Sequence, residues 1–154
     1  MKYIAYTTKG LEQVSVDEIK HLLPEVRVEE IKTKRIVFET DSKPQILTQL
    51  RTVDDVGVLV GKTVTSRLED VISFAETEDF NGTISVIRLI RDISKKFSIT
   101  ATLAGVQGYK SAELVEKLSK VFTDKTGWQF SETERSGFDI RIFVDRKSDL
   151  RNQI

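Results

Sequence analysis

Apolar positions along this chain change period several times, and each change marks an element. Residues 3–7 are aromatic and β-branched, as in a strand. Gly10 closes that run. Residues 11–23 follow at helical spacing, with Leu11, Val14 and Leu22 on one arc and Val16, Ile19 and Leu23 on another, before Pro24. Glu18 falls on the first arc, where a carboxylate has a structural use in accepting backbone hydrogen bonds. Residues 26–32 and 35–40 read as strands joined by the polar turn Lys32-Thr33-Lys34. Asp41-Ser42 should cap a short helix with Pro44 in its first turn and Ile46, Leu47 and Leu50 as its apolar face. Residues 53–65 close the set as a last strand. The order βαββαβ is that of a split βαβ, ferredoxin-like module.

The second half has a different grammar. Residues 68–80 are helical, with Leu68, Val71, Ile72 and Ala75 on one side, and Asn81-Gly82 should break the helix. A second helix is predicted over 83–95 on Val86, Leu89, Ile90 and Ile93. Residues 97–104 alternate with period two. Gly105 and Gly108 punctuate a loop, after which Ser111 caps a helix to about 126, burying Leu114, Val115, Leu118, Val121 and Phe122. Gly127 should stop it. Strands are predicted near 129–133 and 138–144, separated by Arg135-Ser136-Gly137. The order is ααβαββ, and the whole chain reads as α+β.

Composition removes several chemistries. The 154 residues contain no cysteine and one histidine, so disulfides, thiolate metal sites and His-rich zinc sites are excluded. No apolar run approaches the ~20 residues of a membrane helix, and the N-terminus has no signal-like stretch. The chain reads as cytoplasmic, without membrane contact. Basic and acidic residues balance at 24 each, with ten of each in residues 1–65. Any nucleic-acid surface must therefore be local.

Several segments resemble a known family. Ala5-Tyr6-Thr7-Thr8-Lys9-Gly10-Leu11-Glu12 and Leu50-Arg51-Thr52-Val53-Asp54-Asp55-Val56 look like the ferredoxin-like N-terminal part of THUMP-containing RNA methyltransferases. Phe97-Ser98-Ile99-Thr100-Ala101, the 105–111 loop, Thr126-Gly127-Trp128 and Phe138-Asp139-Ile140-Arg141 look like the THUMP domain. The resemblance implies a ferredoxin-like domain over 1–65, a THUMP domain over 66–147, and a polar tail or truncated linker over 148–154. It also implies binding to structured tRNA around the acceptor stem and 3′ end. A C-terminal Rossmann-like domain would then use S-adenosylmethionine to methylate a guanine amino group.

That catalytic domain is not expected in this chain. The family's Asp/Asn-Pro-Pro-aromatic motif is missing, since the two prolines are Pro24 and Pro44. Gly105 and Gly108 do not make a nucleotide-binding turn, and too little chain follows Val144 for a Rossmann half. No catalytic site, metal or cofactor is expected here. S-adenosylmethionine belongs to the further domain.

Two candidate RNA-binding surfaces stand out. On the predicted 83–95 helix, Arg88, Arg91 and Lys95 lie opposite the apolar stripe, and Lys96 adds a charge at its exit. A plain solvated face with Asp92 in it is the competing reading. In the 105–111 loop, Gln107, Gly108, Tyr109, Lys110 and Ser111 precede a helix N-terminus, where free N–H groups favour phosphate and Tyr109 offers a stacking face. The competing reading there is a capped loop with Tyr109 folded inward. Lys32, Lys34 and Arg35 form a weaker basic cluster. Glu113, Lys117, Lys120 and Asp124 alternate in sign as on an ordinary soluble helix. Trp128 is expected in the core, and His21 at a helix end has no partner for catalysis. Asp54 and Asp55 would point to opposite faces of a strand, which argues against a shared ion.

The function expected is recognition of tRNA for a methyltransferase domain outside this chain. Two alternatives remain open: a non-catalytic protein-interaction or regulatory module, and the THUMP part of a thiouridine or pseudouridine synthase.

Overall fold

The computed structural model describes residues 1–65, 67–105, 108–132 and 137–145. They form two compact units, residues 1–60 with 82–91, and residues 61–81 with the chain from 92 on.

The first unit carries strands β1 (Lys2–Tyr6), β2 (Arg27–Lys32), β3 (Arg35–Glu39) and β4 (Asp55–Val58), with helix α1 (Glu12–Leu22) and a 3-10 helix, Pro44–Gln49. The sheet order is β2-β3-β1-β4, and every neighbouring pair is antiparallel. β1 is therefore parallel to β2 with β3 between them, the split βαβ expected from the element order. Its core places Tyr3, Ala5, Ile36 and Phe38 of the sheet with Val16, Ile19 and Leu23 of α1 and Leu47 of the 3-10 helix. Of the two arcs on α1, the core takes Val16, Ile19 and Leu23, while Leu11 and Val14 face solvent.

Two expectations change in this unit. The segment after Asp41-Ser42 is a 3-10 helix whose N-cap is Lys43, with no side-chain cap. The Ser42 N–H is turned back to the Thr40 hydroxyl at 3.1 Å, and Leu47 and Leu50 sit at the three-residue spacing that such a helix favours. The last strand ends at Val58 rather than 65. β4 pairs only with β1, which runs out at Lys2, where Leu59 N–H makes the final bond to the Lys2 carbonyl at 3.0 Å.

The second unit holds helices α2 (Leu68–Thr77) and α4 (Ser111–Thr126) and strands β5 (Lys96–Leu103), β6 (Gln129–Phe130) and β7 (Phe138–Val144). The sheet order is β6-β5-β7, with both pairs parallel. Leu114, Leu118, Val121 and Phe122 of α4 are buried, as their spacing predicted, while Val115 at the edge of that stripe is half-buried. An aromatic chain runs through this core: Phe80 to Phe122 at 4.2 Å, Phe122 to Phe97 at 5.7 Å, and Phe97 to Phe130 at 5.6 Å between centroids. Trp128 is buried edge-on against Phe138. Gly127 ends α4 in the left-handed region (φ 69°), its N–H on the Thr123 carbonyl at 2.8 Å. Gly137 is required by close approach, because a Cβ there would lie 2.1 Å from the Lys96 carbonyl oxygen.

The helix boundaries between 68 and 95 differ from those predicted. α2 stops at Thr77, and α3 (Phe80–Arg88) starts three residues later, so Asn81-Gly82 lie inside a helix instead of between two. The cause is tertiary. Lys125, from the last turn of α4, donates to the carbonyls of Ala75, Glu76 and Glu78 and lies 5.1 Å from the Phe80 ring centroid. A cation there closes the C-terminus of α2 in the way the helix dipole favours. At the other end of α3, the last carbonyls are taken by a turn through Leu89 and Ile90 and by Gln45, whose side-chain amide donates to the Leu89 carbonyl at 3.2 Å. Residues 91–94 are not helical.

Candidate nucleic-acid interface

The basic stripe predicted on one helix is not formed. Arg88 is the last residue of α3, and Arg91 follows it in the first unit; both are exposed. Lys95 and Lys96 belong to the second unit, where Lys96 opens β5 and is half-buried. The backbone there is held on both sides: Gln129 N–H donates to the Lys95 carbonyl at 3.1 Å, and Gly137 packs against the Lys96 carbonyl. These four cations do not share a helical face, because the helix ends seven residues short of Lys95. The apolar stripe assigned to the same helix fails with it, Leu89 being 58 % exposed.

The loop between β5 and α4 is better placed. β5 is the central strand of a parallel sheet whose next two strands lie on opposite sides of it. The carboxyl end of such a strand is a topological switch point, where parallel sheets present ligand-binding loops. Gly105 leaves the strand at φ 80°. Gly108 is exposed with open space around it, and Lys110 and Ser111 are exposed. Gln107 and Val106 lie outside the described residues. The N-cap of α4 is Lys110 rather than Ser111, with extended backbone (φ −97°, ψ 156°). A lysine has no acceptor to cap with, so it satisfies none of the first-turn N–H groups while adding a positive charge beside them.

Tyr109 is half-buried, and its hydroxyl is enclosed without a hydrogen-bond partner among the described residues. Burial raises its pKa above the ordinary tyrosine value. The hydroxyl end of this side chain is turned away from solvent.

No family model matches the chain, and no curated protein matches it in sequence. Its likeness is to solved structures. TrmN from Thermus thermophilus superposes on 91 % of the chain with a TM-score of 0.64 at 17 % identity. A predicted N6-adenine-specific DNA methylase from Listeria monocytogenes superposes on 95 % with a TM-score of 0.67 at 13 % identity. PH1313 from Pyrococcus horikoshii superposes on 95 % with a TM-score of 0.60 at 16 % identity. The chain shares the fold of part of each of these structures, the α+β architecture that the resemblance to THUMP-containing proteins implied. The chain spans 42 %, 37 % and 51 % of the length of these three.

Beyond the loop that precedes α4, other expectations find their places. On α4, Lys117 pairs with Glu113 at 3.9 Å, as the alternation of sign suggests, and Lys120 pairs with Glu116 at 3.2 Å, an acid outside the predicted set. His21 is exposed in the last turn of α1. Asp55 accepts its neighbour Val56 N–H at 2.9 Å, and no acidic or histidine cluster among the described residues suits a metal. No helix among them is long and apolar enough to cross a membrane.

Polar residues organise the loops; Glu18 does so as its place on an apolar arc predicts, and Thr7 and Ser15 do so with no sign in the periodicity. Glu18 accepts the N–H of Arg51 and of Thr52, each at 2.9 Å, and the Thr52 hydroxyl at 2.6 Å. Burial pushes its carboxyl up, but the Thr52 hydroxyl and N–H and the Arg51 N–H outweigh that, leaving the pKa below the usual range. Thr7 and Ser15, both buried, place their hydroxyls 2.8 Å from each other and 3.1 and 2.9 Å from the Thr52 carbonyl, so that two protons serve three contacts: one hydroxyl donates to the carbonyl and the other donates either to it or to its neighbour. Every polar group of Thr52 is thereby engaged.

Proposed function

We propose that this chain is an RNA-recognition module that binds structured tRNA near its acceptor stem and 3′ end for an S-adenosylmethionine-dependent methyltransferase domain. The observation that carries this reading is the fold likeness to TrmN, which takes in nearly the whole chain and only 42 % of TrmN. The segments resembling THUMP-containing methyltransferases support it independently. Within the second unit we assign phosphate contact to Gly108, Lys110 and Ser111: an exposed glycine, a lysine in no salt bridge among the described residues, and a helix N-terminus without a side-chain cap. Arg88, Arg91, Lys95 and Lys96 contribute as separate cations, not as a stripe.

We assign S-adenosylmethionine to that further domain rather than to this chain. The strand-to-helix turns at 7–11 and 104–110 carry one and two glycines, not the three-glycine run that lets backbone wrap such a ligand. The chain's own part is therefore to bind and orient. Affinity comes from phosphate contacts, and selectivity from helix shape and the unpaired 3′ end. Binding of a tRNA transcript, measured against the same transcript without its CCA end and against duplex DNA, tests this. The reading requires tRNA to bind more tightly than both.

A further inference from the structure

Three loops of the first unit converge where β1 leaves its sheet. Thr7 N–H donates to the Lys34 carbonyl at 3.1 Å, which ties the β2–β3 turn to β1. The Thr7 hydroxyl donates to the Thr52 carbonyl at 3.1 Å, which ties in the segment before β4. Glu12, opening α1, accepts the N–H of Gly10 at 2.8 Å and of Lys34 at 2.9 Å. Glu18, farther along the same helix, accepts the N–H groups of Arg51 and Thr52. Two carboxylates of one helix thus fix the backbones of all three loops.

Each loop carries one cation: Lys9, Lys34 and Arg51. All three are exposed, and among the described residues none of them is in a salt bridge. Other cations of the same unit do pair, Lys2 with Glu29, Arg27 with Glu39 and Lys32 with Glu30. Glu12 and Glu18 attract Lys9 and Arg51 through space but spend their oxygens on backbone amides and the Thr52 hydroxyl rather than on a direct ion pair. Lys34 is also the one described non-glycine residue with positive φ, at 65°. A lysine there is strained where asparagine or glycine would relax, so its side chain is held in place at a cost. Thr8 and Thr33 add exposed hydroxyls to two of the loops. Asp54 and Asp55 lie at the β4 side of this end and keep its net charge small.

We infer that Lys9, Lys34 and Arg51 form a second phosphate-contacting surface, a three-loop clamp for the sugar–phosphate backbone of structured RNA; this rests on the RNA-binding reading above. The two lysines act as point charges and the Arg51 guanidinium as a fork that grips one phosphate with two N–H groups. Specificity does not come from this surface. Register and orientation do.

The test uses the full chain and a tRNA transcript, with affinity read across a potassium chloride series. The variant Lys9→Gln/Lys34→Asn/Arg51→Gln keeps a residue that tolerates φ 65° at position 34, and its thermal melt checks folding. A control, Lys20→Gln/Lys43→Gln/Lys117→Gln, removes three exposed charges elsewhere. The clamp predicts that the slope of log K against log salt falls by about 2 to 3 in the first variant, at roughly 0.7–0.9 per lost contact. Low-salt affinity should drop about tenfold, against about twofold or less in the control. Equal losses in the two variants would overturn the clamp and leave the RNA-binding reading standing. A wild-type chain that binds no tRNA would overturn both.

Discussion

The carboxylate of Glu18 receives both the N–H and the hydroxyl of Thr52, at 2.9 and 2.6 Å, across 34 residues of chain. A helix side chain thereby sets the conformation of the segment that leads into β4. Glu18→Gln keeps the shape but loses the charge that strengthens three hydrogen bonds, and destabilisation by about 2 kcal/mol in urea unfolding is expected. The pH dependence follows from the direction of the shift. The folded pKa lies below the unfolded one, so the contribution is complete above the ordinary glutamate range and is lost as pH falls through the folded value. The gap between wild type and Glu18→Gln should therefore be widest at neutral pH and close in acid. A gap independent of pH would contradict this.

Lys125→Met retains the aliphatic stem and removes the cation from the α2 carbonyls and the Phe80 ring. A loss of about 1–2 kcal/mol is expected, the sum of a helix-terminus charge and a partly buried cation–π contact. Amide hydrogen exchange should quicken in the last turn of α2 and spare the first unit. Unchanged exchange in that turn would show that Lys125 does not hold it.

Gly137→Ala places a methyl group against the backbone of Lys96, with no flexible side chain to give way. The β5–β7 pairing must shift, at a cost of about 1–3 kcal/mol. A thermal melt equal to wild type would contradict the close approach.

Lys34→Asn relieves a left-handed lysine and should stabilise the chain by up to about 1 kcal/mol. A destabilised variant would mean that the lysine side chain itself contributes to folding.

Most of the fold was legible because its elements are local. The period-two run of β5, the apolar stripe of α4 and the stop at Gly127 depend on nearest neighbours, and they stand within a residue of expectation. The misplaced boundaries had distant causes. α2 ends early because Lys125 caps it from 47 residues away, and β4 ends early because β1 has no more backbone to offer. The helical stripe of Arg88, Arg91 and Lys95 rested on one such boundary and fell with it. For Glu18, its odd place on an apolar arc was the one local signal, and it pointed correctly to a backbone acceptor. Nothing local marked Glu12, because its two amide partners, Gly10 and Lys34, are joined only by the hairpin.

The central claim is that a chain of zero net charge binds RNA through a few local phosphate contacts. The slope of log K against log salt for a tRNA transcript measures this most directly. A linear fall is predicted, with a slope of roughly −3 to −5 for about four to six contacts, and weaker binding once the CCA end is removed. A slope near zero, or affinity that ignores the 3′ end, would contradict the account.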